Sequence, residues 1–446
     1  MQAEDELREA MTAAFGLAPA VALVGPATLP SSYPVSELAA ASVASAGDAL
    51  VDLLVAMGRP APSAQVSRPL ADAWFGLAVT GVGWSTPPVW DAVAGDYRGA
   101  DGWVRLHTNA AHHRAAALRV LGVDGTREAV AAAVAGWPVE ELQEAVVAAG
   151  GCAAALRAPA EWAEHPQGRA VASEPLVALA STPPAPPSSG WSPSPSRPLA
   201  GLRVLDLTRV LAGPAATRLL AGLGASVLRV DPPWWSEPAL EPEMTLGKRA
   251  ARLDARPSEG LGRLRELLAA ADVLVHGYRG GALDGLGLAP ADRDALRPGL
   301  VDVSLTAWGA TGPWAGRRGF DSLVQMASGI AAPGAPDAPP SPMPVQALDH
   351  ATGYLMAAAV LAGLARRVRT GEGTRAVLSL ARTAAELERV RGFEQLPVEE
   401  RPPLPDRPIE TVWGPARVLE PPLAVDGVQI GWDVPPAALG SAEPTW

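Results

Sequence analysis

With 446 residues, the chain exceeds the usual size of one hydrophobic core, so two or three domains are expected. Hydrophobic residues make up 48% and charged residues 19%, which suits a globular protein; no apolar run reaches membrane-spanning length free of Gly, Pro or charge, so no membrane partner is expected. A net charge of −11 without a basic stripe argues against a nucleic-acid partner, and the single cysteine, Cys152, excludes an internal disulfide and a cysteine metal cluster.

The opening MQAEDELREAM is acidic and amphipathic and lacks the basic start of a signal peptide, so a cytoplasmic protein is expected. An Ala-rich helix is predicted over about 37–57, a strand at DGWVRLH, and helices over about 110–121, 126–135 and 140–149. Together they read as a small α+β domain, residues 1–180. Within it, RLHTNAAHHRAA gathers His107, His112 and His113, but without the i, i+4 pairing of a helical metal site, so no metal is expected.

STPPAPPSSGWSPSPSRP carries seven prolines in a Ser-rich setting and is predicted as a linker over 181–197. Beyond it, strand and helix alternate: LRVLDL, AATRLLAGLGA, SVLRVD, LGRLRELLAAA, DVLVHGY and LVDVSLTAWG. Repeated β-α-β of this kind predicts an α/β fold with a doubly wound, Rossmann-like parallel sheet in residues 198–385, its ligands at the carboxyl ends of the strands. Asp231 ends the second strand where a ribose-binding acid would sit. The first turn, TRVLAGP, lacks the G-x-G-x-x-G glycines, so a nicotinamide cofactor is not indicated. Residues 386–446 form a Pro-rich extension expected to pack on the large domain.

Two isolated residues stand out. Lys248 is the one lysine in the chain. Asp349 precedes the apolar run of LDHATGYLMAAAVLAGLARR, where it can cap a helix or, held ionised by first-turn amides, act as a nucleophile toward a carbonyl. The residues alone leave both roles open.

Taken in order, PLAGLRVLDLTRVLAGPAATRLLAGLGASVLRVDPP, GKRAARLD, ADVLVHGYRGGALDGLGL, PGLVDVSLTAWGATGPWAGRRGFDSLVQMASGIA, LDHATGY and RRVRTGEG resemble the family III CoA transferases, the carnitine and bile-acid type, over about 198–380. The resemblance implies CoA transfer from an acyl-CoA to a carboxylic acid through an acyl-aspartyl anhydride and an aspartyl-CoA thioester, with Asp349 as nucleophile. No tightly bound cofactor is implied; coenzyme A enters as substrate. It also implies that Val210 and Ala212 meet CoA through the backbone, that Lys248, Arg249 and Arg279 supply charge for its phosphates, and that Tyr278 and Ala282 flank it. Racemases of that superfamily carry a histidine where this chain has Phe320, which argues against a racemase, although His350 or Asp321 as base leaves CoA-ester racemase or hydratase chemistry as a lesser alternative. Leu211 stands where formate and oxalate type members carry glutamine. A non-catalytic CoA-binding protein of the same fold is the alternative.

The order of domains is unusual for that family, and a weak repeat accompanies it. Shifting the sequence by 312 residues lays SELAAASVASAGDALVDLL over LDHATGYLMAAAVLAGLAR and Glu37 over Asp349. A degenerate first copy is one reading of residues 1–180. A homodimer, or one chain supplying both halves, are both left open.

Overall fold

The computed structural model describes residues 2–446 apart from 186–190, 192–193 and 336–337. The N-terminal elements are α1 (Ala3–Ala13), β1 (Ala22–Val24), α2 (Val35–Ala56), β2 (Ala64–Ser67), α3 (Arg68–Trp74) and β3 (Val79–Gly81). A small unit follows, with β4 (Gly95–Arg98), β5 (Trp103–Leu106), α4 (Ala111–Leu121), α5 (Arg127–Val134), α6 (Val139–Ala148) and β6 (Ala153–Ala155). Its three strands form an antiparallel sheet whose core holds Val104, Leu106, Val130 and Leu142. Helices α7 (Pro159–Glu164) and α8 (Pro166–Ala172) lead to β7 (Ala178–Pro184).

The second half runs β8 (Arg203–Leu207), α9 (Ala212–Gly222), β9 (Ser226–Asp231), α10 (Glu241–Met244), β10 (Lys248–Arg252), α11 (Ser258–Ala269), β11 (Val273–His276), α12 (Pro290–Leu296), β12 (Val301–Thr306), α13 (Asp321–Ser328), α14 (Ala347–Thr370), β13 (Glu372–Ser379) and α15 (Leu380–Arg389). Its sheet has the order β10-β9-β8-β11-β12-β13-β7, parallel except for β7. The chain turns from β8 first toward β9 and β10, then back to β11 on β8's other side. That reversal opens a crevice at the carboxyl ends of β8 and β11, where a doubly wound sheet binds its ligands. Strands β14 (Asp406–Thr411), β15 (Gly414–Leu419) and β16 (Leu423–Val425) complete the fold.

Two sequence expectations change here. The linker begins too early, because Thr182–Pro184 are paired with β13 in β7; Pro183 and Pro184 are tolerated because β7 is an edge strand. The rest of that expectation, at 186–190 and 192–193, lies outside the described residues. The C-terminal extension packs on more than the large domain: β15 pairs with β3 and β16 with β2, in the N-terminal part. Its end does reach the large domain, where Trp446 Nε1 donates to Leu267 O of α11 at 2.9 Å.

Local features of the two halves correspond at the offset of 312 residues. The same offset of 312 residues separates the first residues of α2 and α14, Val35 and Ala347, and the helix caps Ser67 and Ser379. Ser67 Oγ accepts the Leu70 N–H as Ser379 Oγ accepts the Arg382 N–H, so each serine opens its helix by the same side-chain cap. Around β2 and β13 the sheets also agree, with a parallel neighbour on one side, β1 or β12, and an antiparallel one on the other, β16 or β7. Strand β7 continues the first copy yet pairs in the second, and β16 continues the second copy yet pairs in the first. Each half thus contributes an edge strand to a sheet of the other.

Helices α2 and α14 pack against each other at the centre, both apolar on all sides. Each is long and apolar enough to cross a membrane by length and composition, but each lies almost wholly inside the protein. Alanines dominate their sequences, and such small side chains let two helix axes come close.

Candidate functional site

The loop after β8 begins the site. Its Val210 has φ +67°, a left-handed conformation costly for a β-branched residue, and its N–H donates to Glu237 at 3.1 Å. Strain of this kind persists where the surroundings enforce it. Gly213 is enforced too: a Cβ there would lie 2.2 Å from the Thr208 side chain, so the tight turn into α9 admits no larger residue.

This loop and those after β9, β11 and β12 line an open cleft of about 620 Å³. Val210, Ala212, Tyr278, Arg279, Ala282 and Asp349, six of the eight residues singled out from sequence, are brought together on its wall. Lys248 and Arg249 are not. Lys248 is fully buried, its Nζ 3.0 Å from Asp206 and 2.8 Å from Pro214 O, so its charge is spent inside the protein. Burial pushes its pKa down to about 8 against the pull of Asp206. Arg249 points to the C-terminal segment, with Nη2 3.4 Å from Glu443 O.

Other cations take their place on the wall. Arg209 lies over the Trp235 and Tyr278 rings at 5.1 and 5.4 Å, and Arg256 stacks on Trp234 at 3.9 Å. From sequence, Trp234 and Trp235 read either as lining of an apolar acyl pocket or as loop packing; in the fold each lies on the cleft wall with an arginine over its ring. Asp231 is fully buried in an ion pair with Arg229 and has no exposed oxygen for a ribose.

Asp349 sits in the third position of α14, so it does not cap that helix. The cap is Asp321, from the start of α13, whose carboxylate accepts the amides of Leu348 and of Asp349, the latter at 3.0 Å, together with Gln325 Nε2. The amides that were expected to hold Asp349 ionised are therefore already occupied. Burial and the neighbouring Asp321 charge both hold Asp349 well above the usual carboxylate range, and burial raises Asp321 to about 6 against its hydrogen bonds. The pair shares its first protons, and Asp321, with the donors, is the better site for the negative charge. Asp349 accepts no hydrogen bond from any described residue.

The remainder of the LDHATGY motif faces elsewhere. His350 and Tyr354 stack on Phe75 of the first copy, with ring centroids 5.1 and 6.1 Å apart. Gly353 faces α9, where a Cβ would come within 2.4 Å of Ala212 O. One helix thus points its acid to the cleft, its aromatics to the other copy and its glycine to the strained loop. No role for His350 is legible in sequence; in the fold it is buried packing between copies.

The first copy also shapes the cleft. Gln167 Nε2 donates to Trp308 O and Thr311 O at 2.7 and 2.8 Å, its Oε1 accepts from Trp314 N, and Glu174 accepts from Ala310 N and Thr311 N. These bonds fix the 306–320 loop that carries Arg317, Arg318 and Phe320 into the wall. His107 stacks on Phe320 at 3.7 Å and His113 meets it edge-on at 5.9 Å. The histidine run considered for metal is packed against an aromatic ring.

Residues 199–403 match the profile of CoA-transferase family III. The chain is 37% identical over 191 residues to succinyl-CoA:glutarate CoA-transferase of Mus musculus, covering 40% of this chain and 44% of that one. It is 32% identical over 232 residues to succinate–glutarate CoA-transferase of Agrobacterium fabrum, covering 48% and 58%. A solved CAIB/BAIF family protein from Brucella suis shares 30% identity with a TM-score of 0.40, over 49% of this chain and 65% of that one. The chain spans about half the length of the curated relatives it matches.

Proposed function

We propose, from the match of residues 199–403 to CoA-transferase family III, that the chain moves CoA from an acyl-CoA thioester to a free carboxylic acid with Asp349 as nucleophile. One observation carries the reading. Among the described residues the cleft wall holds two carboxylates, and Asp254 is neutralised by its ion pair with Arg256 while Asp349 has no cationic partner.

The steps balance without ATP or metal. An Asp349 oxygen attacks the thioester carbonyl, the C–S bond breaks, and an acyl-aspartyl anhydride and CoA thiolate result. The thiolate attacks the aspartyl carbonyl, releasing the donor acid and leaving an aspartyl-CoA thioester. The acceptor carboxylate attacks that carbonyl and expels thiolate, which then takes the acceptor acyl group and frees Asp349. Because the Asp349 amide is held by Asp321, oxyanion stabilisation by α14's first turn is not part of this reading. The first amides of α9, at Ala212 and Gly213 on the same wall, are better placed to supply it.

In this reading the CoA chain runs past Val210, Ala212, Tyr278 and Ala282, and Arg209, Arg256 and Arg279 face its phosphates. The relatives named above exchange CoA between acids, which supports the same substrate class for this chain. The test is chemical trapping: after incubation with an acyl-CoA panel, hydroxylamine or borohydride should modify Asp349 and mass spectrometry should map it there. A protein that binds CoA yet gives no Asp349 adduct with any thioester is the non-catalytic CoA binder instead.

A further inference from the structure

Three consecutive residues of the loop after β8 are each tied to a different buried carboxylate. Thr208 donates its N–H and its hydroxyl to Asp206, Arg209 Nε lies 3.7 Å from Asp231, and the Val210 N–H donates to Glu237 at 3.1 Å. Asp206 and Asp231 are fixed by the strands they sit in, β8 and β9. Glu237 comes instead from the segment that joins β9 to α10, and it is held there by its own bonds: one oxygen accepts from Arg229 and the other from Trp235 Nε1 at 2.8 Å. Arg229 is fully buried and also donates to Asp231, at 2.8 Å, so it joins the two acids.

Glu237 thereby grips the residue that most needs it. Apart from glycines, Val210 alone among the described residues has a positive φ. A β-branched side chain resists that conformation, because Cβ crowds the following carbonyl and χ1 is already restricted. Relaxing it to a negative φ would turn the peptide planes on either side of Val210, and with them the start of α9, where Ala212 and Gly213 line the cleft. The bonds of Thr208 and Arg209 lie before the turn and do not restrain this rotation. Glu237 itself, with 6% of its side chain exposed, is not among the residues that line the cleft, so it acts on a ligand only through Val210.

We propose that Glu237 is a positioning residue for CoA: it holds Val210 in the left-handed turn, so that the backbone of Val210, Ala212 and Gly213 meets the ligand already formed. The proposal rests on the reading that CoA runs past this loop. The carboxylate acts as the acceptor for the strained N–H, and Arg229 fixes that carboxylate in place.

Kinetics at a fixed acceptor acid test it. Glu237→Ala should raise KM for the acyl-CoA about ten- to a hundredfold while leaving KM for the acceptor acid unchanged. Glu237→Gln, which keeps an acceptor oxygen and loses the charge, should stay within about threefold of the wild type. Adding Val210→Gly to Glu237→Ala should bring KM back, since glycine adopts φ +67° without strain. Equal damage from Ala and Gln, or no recovery with Val210→Gly, overturns the proposal and leaves Glu237 as the counter-charge of Arg229. Hydrogen exchange of the wild type reads the same bond without a variant: the Val210 amide should be protected before CoA is added, and a freely exchanging amide also overturns the proposal. Calorimetric titration with CoA alone separates the question from catalysis. If no transfer occurs with any pair of substrates yet CoA affinity follows the same order of variants, the CoA-transfer reading fails and the positioning role stands. If CoA binds all the variants equally, the positioning role fails whatever the transfer.

Discussion

The carboxylate of Asp321 accepts the backbone N–H of Asp349 at 3.0 Å, so one acid caps the helix whose third residue is the other. Two buried carboxyls so joined cannot both ionise cheaply. An ionised Asp349 is needed for attack, and its pKa is held up by burial and by Asp321. The acid limb of kcat/KM should therefore lie above the ordinary carboxylate range, and Asp321→Asn should move it to lower pH. A limb that stays in place in Asp321→Asn means that Asp321 does not tune the nucleophile.

The same shifts give stability a defined pH slope. A carboxyl whose folded pKa is raised contributes stability that is complete below the unfolded value near 4 and is lost as pH rises through the folded value, here about 6 for Asp321. Melting temperature should fall between about pH 4 and pH 7, and Asp349→Asn should flatten that fall by removing one of the two charges. Parallel melting curves against pH for the two proteins would contradict this.

Lys248 should behave as a structural residue. Replacing it with Met strands the Asp206 carboxylate in the interior, and breaking such a buried pair costs about 3–5 kcal/mol. Chemical denaturation should show this loss. A normally stable Lys248→Met protein with a raised KM for CoA would return the lysine to the phosphates.

Glu37, the first-copy counterpart of Asp349, accepts the Leu396 N–H at 2.6 Å and is buried beneath the C-terminal segment. Glu37→Ala should lose about 1–3 kcal/mol by stranding that donor, and leave kcat unchanged. Trapping experiments should yield one modified aspartate per chain. A second adduct at Glu37 would show that the first copy still reacts.

Strand β7 pairs with β13 and β16 with β2, so each half of the chain is tied into the other around the central α2 and α14 pair. A protease site inserted between β7 and β8 should allow the chain to be cut with its two parts remaining associated at unchanged activity. Sizing should give a single chain of 45.8 kDa. Separation of the parts on cutting, or a stable dimer, would show that this cross-pairing does not hold the protein together.

Much of the architecture was legible because it is local. Hydrophobic periodicity placed the β8–α9–β9 and β11 to β12 elements, since parallel strands buried on both faces read as apolar runs. The short strands β1, β3 and β16 carried no such signal, because each is three residues long and is defined by its partner. Lys248 misled for a related reason: its rarity is a property of the sequence, whereas its partner Asp206 lies 42 positions away and meets it only in the fold. Arg209, Arg256, Arg317 and Arg318 on the cleft wall were missed, unlike Arg279, because an arginine in a loop looks alike whether it faces solvent, a carboxylate or a cleft.

The amino-acid sequence by itself determined the doubly wound sheet, which rests on periodicity, and the ordered motifs whose family resemblance implies Asp349 as nucleophile. Tertiary structure alone decided which acid caps α14, which cations reach the cleft and which strands pair across the two halves. Those depend on groups far apart in sequence meeting in a low-dielectric interior, where pairing fixes both a charge's position and its protonation.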